Sequence, residues 1–292
     1  MTNLFDSSAA RPRNASAKFR IGPQSVPILK DHCFRGMVVL PGSLYINIAL
    51  SLDREISRRV PRMLHSVVFG SPIILATEDT VIKLSVTDHD RRSVYTFYEV
   101  RNENGSAGTP VERCVARLEI DASASMTPRS RSDPFSVEAF QSRSGTVISS
   151  EQFYETLREN GNHYGPSFQR VSSIWRAGNE SLGTLSGAQH KRESSVQSLD
   201  PSLLDSMIQL LASLVIDKGK TFVLRSIEKV ELRGTQFPDT LWDHAVLHGQ
   251  HTGDNRAFLG HIRVFDQKGK TYVELFNVAF NFLDDGETRS VA

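Results

Sequence analysis

Two stretches of this chain open on a proline and then run apolar on nearly every side, and that pair limits the folds open to it. The first starts at Pro41 and continues through Leu44, Tyr45, Ile46, Ile48, Ala49 and Leu50. The second starts at Pro201, directly behind Asp200, and carries Leu203, Leu204, Met207, Ile208, Leu210, Leu211, Leu214 and Val215. Proline suits the first helical position, where its missing N–H has no intrahelical partner to lose, and Asp is a strong N-cap. A helix without a polar face cannot lie on a surface, so both helices are predicted to be enclosed. Strand-like runs rich in Val, Ile, Tyr and Phe supply the enclosure. They span 66–75, 80–87, 93–101 and 112–120 after the first helix. After the second they span 221–233, 244–250, 257–266 and 271–283, the last two joined by the hairpin turn Asp266-Gln267-Lys268-Gly269. The expected fold class is α+β, a sheet wrapped around one helix and built twice.

Residues 1–18 and 122–147 are rich in Ser, Ala, Arg, Asn and Pro without an apolar period. They read as a tail and a linker. The two units are therefore expected at 19–121 and 148–292, the second opening on a short helix at about 150–160. A chain of 292 residues can bury two ordinary cores. With 34 Lys+Arg against 33 Asp+Glu, no uniform field draws it to nucleic acid or to an anionic membrane, and neither is expected as a partner. Cys33 and Cys114 show no metal-ligand spacing, which suits a reducing, cytoplasmic setting. No run is apolar for long enough to span a membrane, and the start of the chain lacks the apolar core of a signal peptide. His244, His248 and His251 fall on a strand-like stretch without a nearby acidic ligand set, so no metal site is expected there.

Chemistry concentrates at a few positions. Asp205 stands about one turn into the second helix, among neighbours that cannot solvate a carboxylate. Burial raises the pKa of a carboxyl group, so such a residue can hold a proton near neutral pH and donate it. Gln209, four residues on, shares its helical face and can orient it. Taken alone, an Asp at this place reads first as a cap or a solvent-facing residue, since most Asp residues are structural. His32 lies in an extended segment ahead of the first helix, and an imidazole, with an ordinary pKa of about 6.5, can accept a proton. A single His on a strand is as a rule structural. Gly36 would let a ligand approach the backbone and could offer its N–H to a carbonyl.

The run His32-Cys33-Phe34-Arg35-Gly36-Met37-Val38-Val39-Leu40-Pro41-Gly42 fits the pattern HxxxGxxxxP. Tyr164-Gly165-Pro166-Ser167-Phe168-Gln169 fits YGPxFQ, and Asp205 with Gln209 fits DxxxQ/H. In this order and spacing the chain resembles the dehydratase domains of modular polyketide synthases, over about residues 19–285. The resemblance implies a double hotdog: two fused folds, each a sheet around a long helix, with one active site at their junction. It implies that His32 abstracts the α-proton of a β-hydroxyacyl thioester and that Asp205 protonates the departing hydroxyl. Tyr164 and Gln209 would support Asp205, Gly36 would offer its N–H to the thioester, and Pro41, Gly165 and Pro166 accompany them as supporting residues. The substrate would arrive on the phosphopantetheine of an acyl carrier protein, in the company of other synthase domains, and a homodimer is compatible with this. No metal, nucleotide or flavin is expected, because a neutral His and a protonated carboxyl suffice for elimination.

Cys33-Phe34-Arg35 is bulkier than the family's usual residues at those positions, which leaves substrate shape and stereochemistry open. Pro41-Gly42-Ser43-Leu44-Tyr45 also resembles the product-template domains of fungal aromatic synthases. An aromatic cyclase of that kind, a pyran-forming cyclase and a double-bond isomerase are the enzymatic alternatives, and a carrier-binding scaffold is the non-enzymatic one. Among relatives, retention of Pro41 and Asp205 favours dehydration, and retention of His32 and Asp205 argues against a silent scaffold.

Overall fold

Around each of the two apolar helices the chain folds a run of antiparallel strands. The first half comprises β1 (Asn14–Ile21), β2 (His32–Phe34), β3 (Met37–Val38), α1 (Gly42–Ser57), β4 (Met63–Phe69), β5 (Thr80–His89), β6 (Arg92–Arg101) and β7 (Val111–Asp121). The second opens with α2 (Val137–Arg143), β8 (Thr146–Ser149), α3 (Ser150–Glu159) and β9 (Asn162–Tyr164). It continues through β10 (Val171–Ala177), β11 (Glu180–Ser186), α4 (Pro201–Ala212), β12 (Phe222–Leu232), β13 (Thr240–Gln250), β14 (Ala257–Phe265) and β15 (Thr271–Phe282). This computed structural model describes residues 14–57, 60–89, 91–101, 110–121, 135–187, 199–216, 219–234, 236–250 and 257–282.

The two halves share one sheet of 12 strands, ordered β1-β5-β6-β7-β4-β12-β15-β14-β13-β11-β10-β8. The β4–β12 pair joins them, with Leu64 opposite Val230 and Val67 opposite Ile227. A second sheet, β3-β2-β9, joins them again, with His32 opposite Tyr164. The sheet curls around α1 and α4, which touch each other. Asn47 of α1 donates through Nδ2 to the carbonyl of Leu199, 2.6 Å away. Every residue of α4 from Ser202 to Ala212 is buried. The strands alternate as a one-sided sheet must: Ile82, Leu84 and Val86 of β5 point inward while their neighbours are more exposed. Burial of each such side chain contributes about 1.5–3 kcal/mol. Among the described residues no helix is long and apolar enough to cross a membrane.

Several boundaries differ from those expected. β1 starts at Asn14, inside the segment read as a tail, and pairs with β5 along its whole length. Its inward positions include Ala15 and Ala17, too small to give a clear apolar period. The linker is overrun by α2 and the start of β8. Ser136 caps α2, and Phe140 joins Leu182 and Phe265 in a small separate core. The remainder of that linker, 122–134, lies outside the described residues, as does Leu283. The run 66–75 stops being a strand at Phe69, before Gly70-Ser71-Pro72, where proline has no N–H to continue a ladder. β10 and β11 carry Ser172, Ser173, Ser181 and Gly183, a composition that conceals strands. Gly183 serves packing, since a Cβ there would lie 2.8 Å from Leu210 Cδ1 of α4.

Candidate active site

His32 is the first residue of β2 and is buried. Its Nδ1 lies 2.8 Å from the carbonyl oxygen of Val39. A carbonyl only accepts, so Nδ1 carries a hydrogen, and in the neutral imidazole the lone pair is then on Nε2. That Nε2 faces Asp205 Oδ1 at 3.7 Å. Rings of Phe34, Phe168 and Tyr164 surround the imidazole, with centroids 5.0, 5.2 and 5.6 Å away. Cys33 is half-buried, its Sγ 3.3 Å from the carbonyl of Lys30.

The turn between β2 and β3 is Arg35-Gly36, with φ of 48° and 80°. A two-residue hairpin with both central residues at positive φ is the type I′ geometry, which favours glycine. Gly36 therefore belongs to the hairpin tip and is not among the residues that line the cavity described below. The expectation that its N–H meets a thioester carbonyl stays with the family resemblance; in the fold, the positive φ of the motif glycine serves the turn. The N-terminus of α1 does reach the cavity through Gly42, and the first N–H groups of a helix have no intrahelical acceptor. Pro41, buried just before it, accepts the Leu44 N–H through its carbonyl, 3.1 Å away.

Asp205 sits on α4, behind the Asp200 cap and Pro201. Gln209 Nε2 donates to Asp205 Oδ2 at 2.8 Å and to the Phe168 carbonyl at 3.2 Å. Because Phe168 O can only accept, the amide cannot be turned the other way round. Its Oε1 accepts from the Tyr154 hydroxyl at 3.1 Å, and that hydroxyl in turn accepts from Val171 N–H at 3.1 Å. Each donor and acceptor in the chain is thereby directed. Oδ2 is occupied as an acceptor, so a proton on the Asp205 carboxyl belongs on Oδ1, the oxygen facing His32. Burial pushes the Asp205 pKa above the usual carboxylate range, against the opposing pull of His32 and of the Gln209 hydrogen bond.

Tyr164, expected beside Asp205, lines the cavity and packs edge-on against His32, while the hydrogen bond to Asp205 comes from Gln209. Burial holds its phenol well above the ordinary tyrosine value. Gly165 acts through Asp31, the residue before the histidine. Gly165 N–H donates to the Asp31 carbonyl at 2.7 Å, and Ser167 N–H donates to its carboxylate at 2.9 Å. A Cβ on Gly165 would run into that carboxylate. Pro166 opens the short 3-10 turn Pro166–Phe168 that delivers the Phe168 carbonyl to Gln209. Asp31 and Tyr154 are the contributors that sequence reading missed. Tyr154 could have been suspected from its place on α3, between the apolar Phe153 and Leu157, but Asp31 carries no such signal.

The two motifs meet in a cavity of about 400 Å³. His32, Tyr164, Asp205 and Gln209 form its polar wall; Val115, Ile208, Leu224 and Phe280 are among its apolar lining. Arg225, set at a register shift between Leu224 and Ser226, is the one Lys or Arg on the described lining. A bulge there re-aims the side chain, and its Nη1 donates to the Phe69 carbonyl at 2.9 Å. His244, by contrast, bonds Glu180 through Nε2 at 2.8 Å, and His251 lies outside the described residues. Among the described residues no cluster of three potential metal ligands occurs.

A family model described as the polyketide synthase dehydratase N-terminal domain matches residues 132–289, more than half the chain. The chain belongs to the polyketide synthase dehydratase family. A second model, the polyketide synthase dehydratase domain, matches residues 4–100. Polyketide synthase GfsE of Streptomyces halstedii is 26% identical over 204 residues, covering 68% of this chain and 5% of that protein. Erythronolide synthase EryA2 of Saccharopolyspora erythraea is 24% identical over 203 residues, covering 69% of this chain and again 5% of the relative. The chain thus spans a small part of the synthases it matches. Among solved structures, the dehydratase domain from the CurF module of curacin polyketide synthase superposes with a TM-score of 0.78 at 21% identity, covering 94% of this chain and 96% of that one. Such likeness establishes the double-hotdog fold for this dehydratase. The solved relatives also include two CurK dehydratase variants described as inactive, one with a His replaced by Phe and one with an Asp replaced by Asn.

Proposed function

We propose that this dehydratase removes water from a β-hydroxyacyl thioester on the phosphopantetheine of an acyl carrier protein, with His32 as base and Asp205 as acid. The observation that carries the reading is the facing pair, His32 Nε2 and Asp205 Oδ1 at 3.7 Å. That separation is too long for a direct hydrogen bond, yet the two groups remain electrostatically coupled. A modest opening admits the Cα–Cβ edge of a substrate between them. His32 takes the α-proton, the Cβ–O bond breaks, and Asp205 gives its proton to the leaving hydroxyl, which departs as water. An α,β-unsaturated thioester remains, and a proton passed from His32 to Asp205 resets the site. Held at the N-terminus of α1, the thioester carbonyl would meet unpaired N–H groups that favour its enolate. The elimination draws on these groups alone. Arg225 supplies a cation that suits a phosphate-bearing arm. The inactivity of the two CurK variants supports roles for one His and one Asp.

The test is mass spectrometry of 3-hydroxyacyl groups on a carrier protein after incubation with the domain. Loss of one water is expected, and His32→Phe and Asp205→Asn should each slow it by about 10²–10⁴ while circular dichroism stays unchanged. Water loss at near wild-type rate by either folded variant overturns the roles. No water loss from any such substrate overturns the reaction.

A further inference from the structure

Tyr45 takes no part in the machinery above. It lies three residues past Gly42 on α1, hence on the same helical face and about 4.5 Å further along the axis. Like Gly42 it lines the cavity. Its ring is firmly packed, edge-on to Phe97 at 5.1 Å and tilted against Phe69 at 6.3 Å, and only 5% of the residue is exposed. Among the described residues, three other buried phenols have acceptors: Tyr95 donates to Asp53 at 2.9 Å, Tyr154 to Gln209 at 3.1 Å and Tyr272 to Asp266 at 3.3 Å. The Tyr45 hydroxyl has none among the described residues. Glu99, the acid whose charge it feels, is taken up by Arg113 through Nε at 3.0 Å and Nη2 at 2.6 Å, and by Arg101 at 2.9 Å. Yet this hydroxyl is not among the sealed, unpartnered polar atoms, so it keeps accessible surface, and the space its residue borders is the cavity. Burial keeps it protonated, able both to donate and to accept.

A phenol left open in an apolar wall is poorly explained by packing, because phenylalanine would fill the same volume without a polar atom to satisfy. We propose that Tyr45 is a specificity-determining residue whose hydroxyl hydrogen-bonds an oxygen on the acyl chain beyond the reacting carbons, so that the dehydratase selects oxygenated chains over plain hydrocarbon ones. With the thioester at the start of α1, a chain running along the helix would meet Tyr45 about 4.5 Å further on, past the Cα–Cβ bond. The inference rests on the cavity being the acyl-thioester site.

The experiment compares pantetheine 3-hydroxyacyl thioesters of equal length, with and without one further hydroxyl or ketone set in turn along the distal carbons. Wild type and Tyr45→Phe are both measured, by calorimetry for binding and by mass spectrometry for turnover. Wild type is expected to bind one of the oxygenated chains roughly five- to fiftyfold more tightly, with KM lowered to match and kcat little changed. Tyr45→Phe, which keeps the ring against Phe69 and Phe97 and should keep the wild-type Tm, is expected to lose that preference. A wild type indifferent to oxygen at every position overturns the inference. So does a variant that weakens both members of a pair equally, since Tyr45 would then serve the pantetheine arm or the packing. Calorimetry reads the preference whether or not water is lost, so a failed dehydration with the preference intact counts against the reaction alone.

Discussion

Replacing Gln209 with leucine isolates what one amide does to the acid. Gln209 N–H donates to Asp205 Oδ2 at 2.8 Å and so favours the charged carboxylate. Without it Asp205, already raised by burial, rises further and holds its proton into more alkaline solution. A hydrogen bond to a charged group is worth about 1.5–3 kcal/mol, and one pH unit corresponds to about 1.36 kcal/mol. The falling limb of kcat/KM should therefore move up by roughly one to two pH units. The rate at the optimum should drop about ten- to a hundredfold, because Oδ1 is no longer held toward His32. Stability should fall by only about 1–2 kcal/mol, since the Tyr154 hydroxyl can turn to the Phe168 carbonyl, 3.4 Å away. The assay is kcat/KM against pH on a pantetheine-linked substrate, with thermal melting alongside. The limb belongs to two interacting groups, so the shift between variant and wild type is the quantity to read. A limb that stays in place, or moves to lower pH, refutes the assignment of Asp205 as an acid held by this amide.

Three other outcomes can be checked. Gly165→Ala forces a methyl group into the Asp31 carboxylate and should cost about 1–3 kcal/mol and most of the activity, by shifting the strand that carries His32; a fully active, equally stable variant would contradict that link. Asp243 is wholly buried with neither carboxyl oxygen hydrogen-bonded among the described residues, and burial holds its pKa well above the ordinary range. Because the folded value is the raised one, its stabilising contribution is full below the unfolded carboxylate pKa and is lost as pH rises through the folded one. Asp243→Asn should therefore melt higher than wild type at neutral pH, with the gap closing near pH ~4, and a gap independent of pH would count against it. Cutting the chain within 122–134 separates His32 from Asp205, so each half alone should be inactive, and turnover by an isolated half would sink the shared site.

Much of this was written in the residues. Leu203 to Leu211 left α4 no polar face, and the same feature made Asp205 conspicuous and set Gln209 beside it. Those are local relations that a helix fixes by its period. What escaped notice depends on contacts distant in sequence. Tyr154 orients Gln209 from a different helix, and Asp31 matters only because the chain returns at Gly165 and Ser167. β11 was hidden because α4 packs so closely that Gly183 and Ser181 are wanted where Val or Ile usually announces a strand. Gly36 can be read two ways from sequence: a motif glycine four residues past His32 suggests a ligand, and its positive φ of 80° also suits a hairpin turn.

The β4–β12 seam has a consequence for how the protein is made. β4 leaves the ribosome with β7 soon to cover one edge, but the strand for its other edge, β12, follows more than 150 residues later. At about 5–20 residues per second, that edge waits roughly ten to thirty seconds as an open template for any passing strand. The wait bears on yield more than on final stability. A nascent first half is the species most exposed to intermolecular pairing, so slow translation or overexpression should shift material from the soluble to the insoluble fraction before Asp205 has been synthesised.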